Sequence, residues 1–214
     1  MLLSTAHFPP VQYLCKIIDL DSLYLEAQEN YQKQSYRNRF RIYGANGPIT
    51  LSIPIHKSRP LGTPIKEVTI DSSHRWKSVH HRAIQSCYRH SPFYEFYYDD
   101  FKAYWEKDWK YLYDLNLHIL RTVLHVLELD IEIFETKEFT ELVGNMKHDF
   151  RGRIHPKKSW NMDPEFKAME YTQNFSDRYG FQANLSILDL IFQTGPDAVN
   201  VLRGSKKSPS PANL

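Results

Sequence analysis

The 214-residue sequence is poor in the features that most readily declare a function. It holds two cysteines, Cys15 and Cys87, each within an apolar pattern and in no CxxC or metal-ligand spacing. Such a pair reads as two buried, reduced thiols rather than a disulfide framework or a zinc site. No apolar run approaches the roughly 18 residues that a membrane span needs. The best segment, 112–127, is broken by Asp114, Asn116, His118, Arg121 and His125. The opening MLLSTAHFPP has no basic stretch ahead of its apolar residues and stops at a proline pair, so it does not read as a secretory signal. The expected location is the cytoplasm. A large basic excess is missing too: the net charge is +2, short of the clustered charge of a dedicated nucleic-acid binder, yet compatible with a local anion site. Walker, GxGxxG, GxSxG and HExxH patterns are absent, the ten histidines are scattered, and no metal or cofactor is implied.

What is present is aromatic. Phe, Trp and Tyr make up 14% of the chain, with fourteen tyrosines and twelve phenylalanines. Tyr joins a large apolar body to a polar tip, which suits either a semi-polar pocket or a Tyr-rich core and rim.

The order of elements predicts an α/β fold, with a mixed sheet built on an N-terminal βαβ unit and a hairpin, followed by a largely helical C-terminal half. Residues 2–8 read as a strand, 11–18 as a short helix and 22–27 as a second strand; such a unit implies a parallel pair. Its first loop leaves the carboxyl end of the strand, where open α/β sheets bind ligands. Strands over 36–43 and 49–55 flank Gly44-Ala45-Asn46-Gly47-Pro48, a hairpin signal, and 65–70 reads as another strand. From Ser73 the period becomes helical, with Trp76, Val79, Ala83, Ile84 and Cys87 on one face. A second helix starts at Pro92 and carries Phe93, Phe96, Tyr97, Phe101 and Tyr104. A third runs from about Trp109 to Leu127 with Leu112, Leu115, Ile119, Leu120, Val123, Leu124 and Leu127 as its stripe. Ile131–Phe134 is a last strand. Residues 144–164, rich in breakers and charge, form a long loop of the kind that is either functional or disordered. Helices over 185–192 and 196–202 follow. Residues 1–203 are expected as one domain and 204–214 as a disordered tail.

The candidate chemistry begins at YQKQSYRNRFRIYG. On a strand alternate residues share a face, so Arg37, Arg39 and Arg41 would point together at steps of roughly 7 Å, spaced to hold phosphate or carboxylate groups. The same row reads equally as a solvated outer face. Asn38 falls among Tyr36, Phe40 and Ile42 on the opposite face, as a structural clip or a ligand contact. His80 shares a helix face with Trp76 and Cys87; it is either a satisfied core histidine or a group tuned for proton transfer. His7 closes the first strand at the ligand end of the βαβ unit. Ser186 and Asp189 fit a helix cap.

Four strings are collinear with a known pattern: HFPPVQYLCKI, ENYQKQSYRNRFRIYGANGPITLSIPI, W-x3-H-x-R-x-I-x3-YRHSPFYEFYYDDF and NLSILDLIFQTGP. Together they resemble the WbqC-like family over nearly the whole chain except its last ten or so residues. Recurring family positions fall here on Pro9, Tyr13, Tyr31, Lys33, Asn38, Arg39, Arg41, Trp76, His80, Ile84, Tyr88, Pro92, Ser186 and Asp189. Relatives carry an acidic pair before the position of Tyr31, where this chain has Ala27-Gln28-Glu29-Asn30; Glu26 or Glu29 would have to stand in. The family occurs in gene clusters for bacterial O-antigen and related surface polysaccharides, and a glycine-transferring role has been suggested for it. The resemblance therefore implies a transferase adding an aminoacyl (glycyl) or acyl group to a sugar or nucleotide-sugar. In that reading His80 deprotonates the acceptor, and His7, Tyr31, Lys33, Arg37, Asn38, Arg39, Arg41 and Tyr88 bind a phosphate-bearing substrate. The alternatives are an adenylating or nucleotidyl-transferring enzyme and a non-enzymatic module that binds glycan or RNA. No cofactor is named by the resemblance, and the oligomeric state is not legible.

Overall fold

A computed structural model describes residues 1–56, 62–139 and 148–207. In chain order the elements are β1 (Leu2–Ser4), α1 (Val11–Ile17), β2 (Ser22–Glu26), β3 (Arg39–Gly44), β4 (Gly47–Ser52), α2 (Trp76–Tyr88), α3 (Tyr94–Tyr97), α4 (Lys102–Glu106), α5 (Leu112–Val126), β5 (Glu132–Glu135), α6 (Ser176–Tyr179), α7 (Ile187–Thr194) and α8 (Ala198–Gly204). This is the expected α/β class with its N-terminal βαβ unit, hairpin and helical second half. The strands divide between two sheets: β1-β2-β5 is all parallel, and β3-β4 is an antiparallel pair of its own.

β1 is shorter than its apolar run suggests. The chain leaves the sheet after Ser4, and Phe8 adopts a positive φ of 39° with its side chain fully buried. That turn brings Pro10 to the start of α1, every residue of which is buried. β2 pairs with β1 on one side and β5 on the other, in registers Leu3↔Leu25 and Leu23↔Ile133. On the outer edge of β1, Leu2 N donates to His148 O and Phe150 N to Leu2 O, so segment 148–150 adds a short parallel step. All these runs point the same way, and their carboxyl ends gather at Ser4, Glu26, Glu135 and Arg151.

β3 starts at Arg39, three residues later than its pattern suggests. Ahead of it the chain is held as a turn, with Ser35 Oγ donating to Gln32 O and the Arg37 N–H reaching Ser35 Oγ. The arginine row is therefore broken: Arg37 lies outside the strand and is buried, while Arg39 and Arg41 are half-buried on it. The hairpin closes with Gly44 opposite Gly47, whose φ of +100° is the left-handed conformation that a glycine accepts without a Cβ penalty.

The segment read as a strand over 65–70 is instead a 3-10 turn at Ile65–Glu67 followed by two isolated bridges. Ile65 and Val68, three apart, both point into the core, which the turn permits and a strand would not. In α2 the buried residues are Trp76, His80, Ile84, Cys87 and Tyr88, and Val79 is 55% exposed, so the inward stripe is rotated from the expected one. The aromatic run after Pro92 breaks into α3, a 3-10 turn and α4, leaving Phe96 outside. α5 buries the whole expected stripe from Leu112 to Leu127.

Both cysteines are buried free thiols, and burial pushes Cys15 up to about 12 and Cys87 up to about 11. Of the segment expected as tail, Ser205 is buried and Lys206 Nζ donates to Asp19. Residues 208–214 lie outside the described residues. No described helix is long and apolar enough to cross a membrane.

Candidate functional site

A cleft of about 960 Å³ opens at the carboxyl ends of the parallel strands. Its floor is polar and strongly paired. Glu29 and Arg37 form a buried ion pair, with side chains only 6% and 4% exposed. Arg37 Nε donates to Glu29 Oε1 at 2.7 Å, and Nη2 reaches both Glu29 Oε2 and Ser4 Oγ, the latter at 2.8 Å. The Ser4 hydroxyl has one hydrogen and two acceptors within reach, Glu29 Oε2 at 2.9 Å and Arg151 O at 3.0 Å. The carboxylate, being charged, is the stronger claimant.

Beside this pair Arg151 bridges Glu26 and Asp149, at 2.5 Å from Nη1 to Glu26 Oε2 and 2.9 Å from Nε to Asp149 Oδ2. Glu26 is fully buried and also accepts from Thr136 Oγ1 at 2.6 Å and from the Gln28 N–H at 2.8 Å. Glu26 and Glu29, the two acids able to stand in for the family's acidic pair, are thus both engaged by arginines. Three carboxylates and two guanidiniums hold the strand ends and the loop after residue 148 in one arrangement.

Around this floor stand less committed groups. Asn30, Tyr31, Gln32, Phe139, Arg153 and Lys158 all line the cleft. Arg153 and Lys158 form no ion pair among the described residues; Lys158 Nζ donates to Gly152 O, and Arg153 lies over the Phe150 ring at 5.3 Å. Arg39 belongs to the same neighbourhood, because it and Arg37 act electrostatically on both Tyr31 and His155. Its half-buried guanidinium leaves Nε without a hydrogen-bond partner. Burial raises the Tyr31 hydroxyl above its ordinary value despite the two arginines. Burial, then the charges of Arg37, Lys157, Lys158 and Arg39, holds His155 below the usual imidazole value. The loop over 151–158 therefore folds its cations against the arginines that precede and open β3. Its breakers and charge marked it in the sequence, but nothing there said where it would land.

The expected histidines are elsewhere. His80 is 2% exposed inside a ring of Trp76, Phe40 and Tyr104. Its Nδ1 lies 2.7 Å from Tyr104 Oη and its Nε2 3.2 Å from Ser52 O. Tyr104 Oη in turn lies 2.9 Å from His7 Nε2, His7 Nδ1 lies 3.0 Å from Asn116 Oδ1, and Asn116 Nδ2 donates to Arg37 O at 2.7 Å. This chain of five links begins and ends on backbone carbonyls. With both imidazoles neutral it holds four hydrogens, one each from Asn116, His7, Tyr104 and His80, so one link must go without. The amide of Asn116 fixes His7 Nδ1 as donor, and the shortfall falls on the longest link, His80 Nε2 to Ser52 O. Burial holds His80 down at about 4 and His7 well below its ordinary value, so both are neutral at pH 7. His80 and the arginine cluster do not meet in one hollow. They are joined through the protein, from Ser52 O across the relay to the backbone of Arg37.

The remaining expected residues separate. Asn38 is a clip: its Nδ2 donates to Ile53 O at 2.9 Å, its own carbonyl accepts from Ile53 N, and its Oδ1 has no partner. Lys33 is exposed on the turn before β3. Arg41 acts on Tyr36, and its carbonyl accepts from Ser186 N. Tyr88 is fully buried and donates to Asp189 Oδ1 at 2.8 Å; Tyr171 Oη and Gln173 Nε2 donate to Oδ2 at 2.7 and 2.8 Å. Ser186 caps α7 as expected, whereas the Asp189 carboxylate turns into the core rather than back to the cap. Burial raises its pKa, opposed by these donors.

The WbqC-like protein family model matches residues 5–154. The chain belongs to the WbqC-like family. No curated protein and no solved structure matches it. The matched span of this WbqC-like chain contains Glu29, Arg37, Arg39, Arg151 and Arg153, the relay from His7 to Asn116, and most of the cleft. Lys158 and α7 lie beyond it.

Proposed function

We propose that this chain binds a phosphate-bearing sugar or nucleotide-sugar in the cleft at the carboxyl ends of β1, β2 and β5, and transfers an aminoacyl (glycyl) or acyl group to it. The observation that carries the binding half is that Arg153 and Lys158, which form no ion pair among the described residues, line this cleft with Arg39 close by, beside a floor whose own charges are already paired. Guanidinium and ammonium groups without carboxylate partners are what an incoming phosphate would meet. Tyr31 supplies an aromatic face, and Arg37 acts indirectly by fixing Glu29. The transfer half rests on the family resemblance. Surface-polysaccharide synthesis of the O-antigen kind, in the cytoplasm, is the setting that the resemblance suggests.

A second reading, a non-catalytic binding module, is favoured by one observation. His80 is 2% exposed, with Nδ1 bonded to Tyr104 Oη and Nε2 closed off against Ser52 O, so it meets no substrate in this conformation. Thermal shift with UDP-glucose, ADP-glucose, ATP, CTP and plain glucose tests the binding. A ligand at a hundred times its Kd stabilises by about 2.7 kcal/mol, or roughly 5–11 °C for a chain of this size. The expected result is a shift with a nucleotide-sugar and none with glucose. No shift with any phosphate-bearing probe sinks the reading, and a shift with ATP or CTP alone moves it to the nucleotidyl-transferring alternative. Transfer itself is read by supplying a labelled glycyl or acetyl thioester and following the label into the bound sugar as the free thiol is released.

A further inference from the structure

A second pocket, about 290 Å³, lies against the large cleft and shares Arg153 and Lys158 with it. The two cations form a ridge with a hollow on each side. On the far side the pocket is framed by Gln12, Phe150, Met162, Asp163 and Glu165. Its acids are fixed in place: buried Lys16 donates to Asp163 Oδ1 and to Glu165 Oε2, both at 2.9 Å, and Gln12 Nε2 donates to Asp163 Oδ2 at 2.7 Å. Most of this wall comes from residues beyond 154, outside the matched family span.

We propose that the two hollows are one bipartite site for a diphosphate or phosphodiester that carries a separate polar group on each side of the phosphate. The inference rests on the cleft being the phosphate site. Charge decides the order of parts. Among the described residues, the cations without ion pairs that line either hollow are Arg153 and Lys158, shared by both, so the phosphate sits on the ridge. The larger hollow, with Tyr31 and Phe139, suits the half that presents a flat ring for stacking. The smaller one offers carboxylate oxygens as acceptors and repels a second phosphate, so it suits a half rich in hydroxyl donors, such as a hexose. A nucleoside diphosphate-sugar meets all three conditions, and a nucleoside diphosphate alone leaves the smaller pocket empty.

Met162 gives a test that spares the fold, being 83% exposed on the rim of the smaller pocket. Calorimetry compares UDP with UDP-glucose, and ADP with ADP-glucose, on the wild type and on Met162→Trp and Arg153→Ala. In the wild type the sugar conjugate is expected to bind about tenfold more tightly than its diphosphate, a difference of roughly 1.4 kcal/mol. Met162→Trp should fill the pocket and erase that preference while leaving the diphosphate unchanged. Arg153→Ala should weaken both ligands. Equal wild-type affinity for conjugate and diphosphate, or a preference that survives Met162→Trp, overturns the bipartite site and leaves the phosphate site standing. If Arg153→Ala alters neither ligand, the phosphate reading itself falls.

Discussion

Replacing Glu29 by Gln removes one charge from a buried ion pair of the cleft while keeping the side chain's size. Arg37 then keeps its full charge at 4% exposure, with the introduced amide oxygen, Ser4 Oγ and Gln32 Oε1 as hydrogen-bond acceptors and no carboxylate. Breaking a buried pair from one side costs about 3–5 kcal/mol, because desolvation of the orphaned ion is no longer offset. For a chain of this length each kcal/mol lowers Tm by about 2–4 °C, so the expected fall is roughly 6–20 °C. Urea denaturation and calorimetric melting both read it. A double variant, Glu29→Gln with Arg37→Met, removes both charges and should recover at least about 1 kcal/mol of the loss, since pairs in contact are not additive. Two results would refute the reasoning. One is a loss below about 1 kcal/mol, the range of exposed pairs. The other is a double variant no better than the single one.

Two further outcomes follow from the buried polar groups. His80 is held at about 4 by burial, below the ordinary 6.5. The unfolded chain therefore takes up a proton between those values that the folded chain refuses, and stability falls as pH drops through that window, by up to about 1.4 kcal/mol per pH unit. Urea midpoints from pH 7 to pH 4.5 should slope less steeply in His80→Gln than in the wild type; identical slopes would clear the imidazole of responsibility. Asp189→Asn turns an acceptor of three hydrogen bonds into a group that presents N–H to donors, at a cost of about 1–3 kcal/mol for each group left unsatisfied. Melting should register at least about 2 °C, and limited proteolysis should open the segment around Tyr171 and Gln173; an unchanged cleavage pattern would contradict that tether.

Much of the fold is written in local patterns. The βαβ start, the hairpin across Gly44 to Gly47 and the stripe of α5 follow from periodicity and turn chemistry, which act over a few residues. Departures occur where hydrogen bonds from particular side chains outweigh strand propensity. The Gln32 carbonyl and the Ser35 hydroxyl hold the chain short of β3, and Asn38 binds Ile53, so Arg37 leaves the strand face that alternation assigned it. The charged loop after residue 148 was legible as a loop but not as the wall of a cleft, because the Glu26 carboxylate that anchors Arg151 sits 125 positions away. His7, His80 and Tyr104 likewise showed nothing in sequence of the relay that joins them, since Tyr104 lies 97 positions from His7.

By itself, then, the amino-acid order determined the family, most of the succession of elements and the presence of a basic aromatic stretch near residue 40. Those properties depend on neighbours along the chain. Only the packed structure decided that His80 belongs to the aromatic core, that Arg37 is spent on Glu29, and that Arg153 and Lys158 stand beside the strand ends with no ion pair among the described residues. Such assignments depend on which distant groups satisfy each other once water is excluded, and no local pattern carries that information.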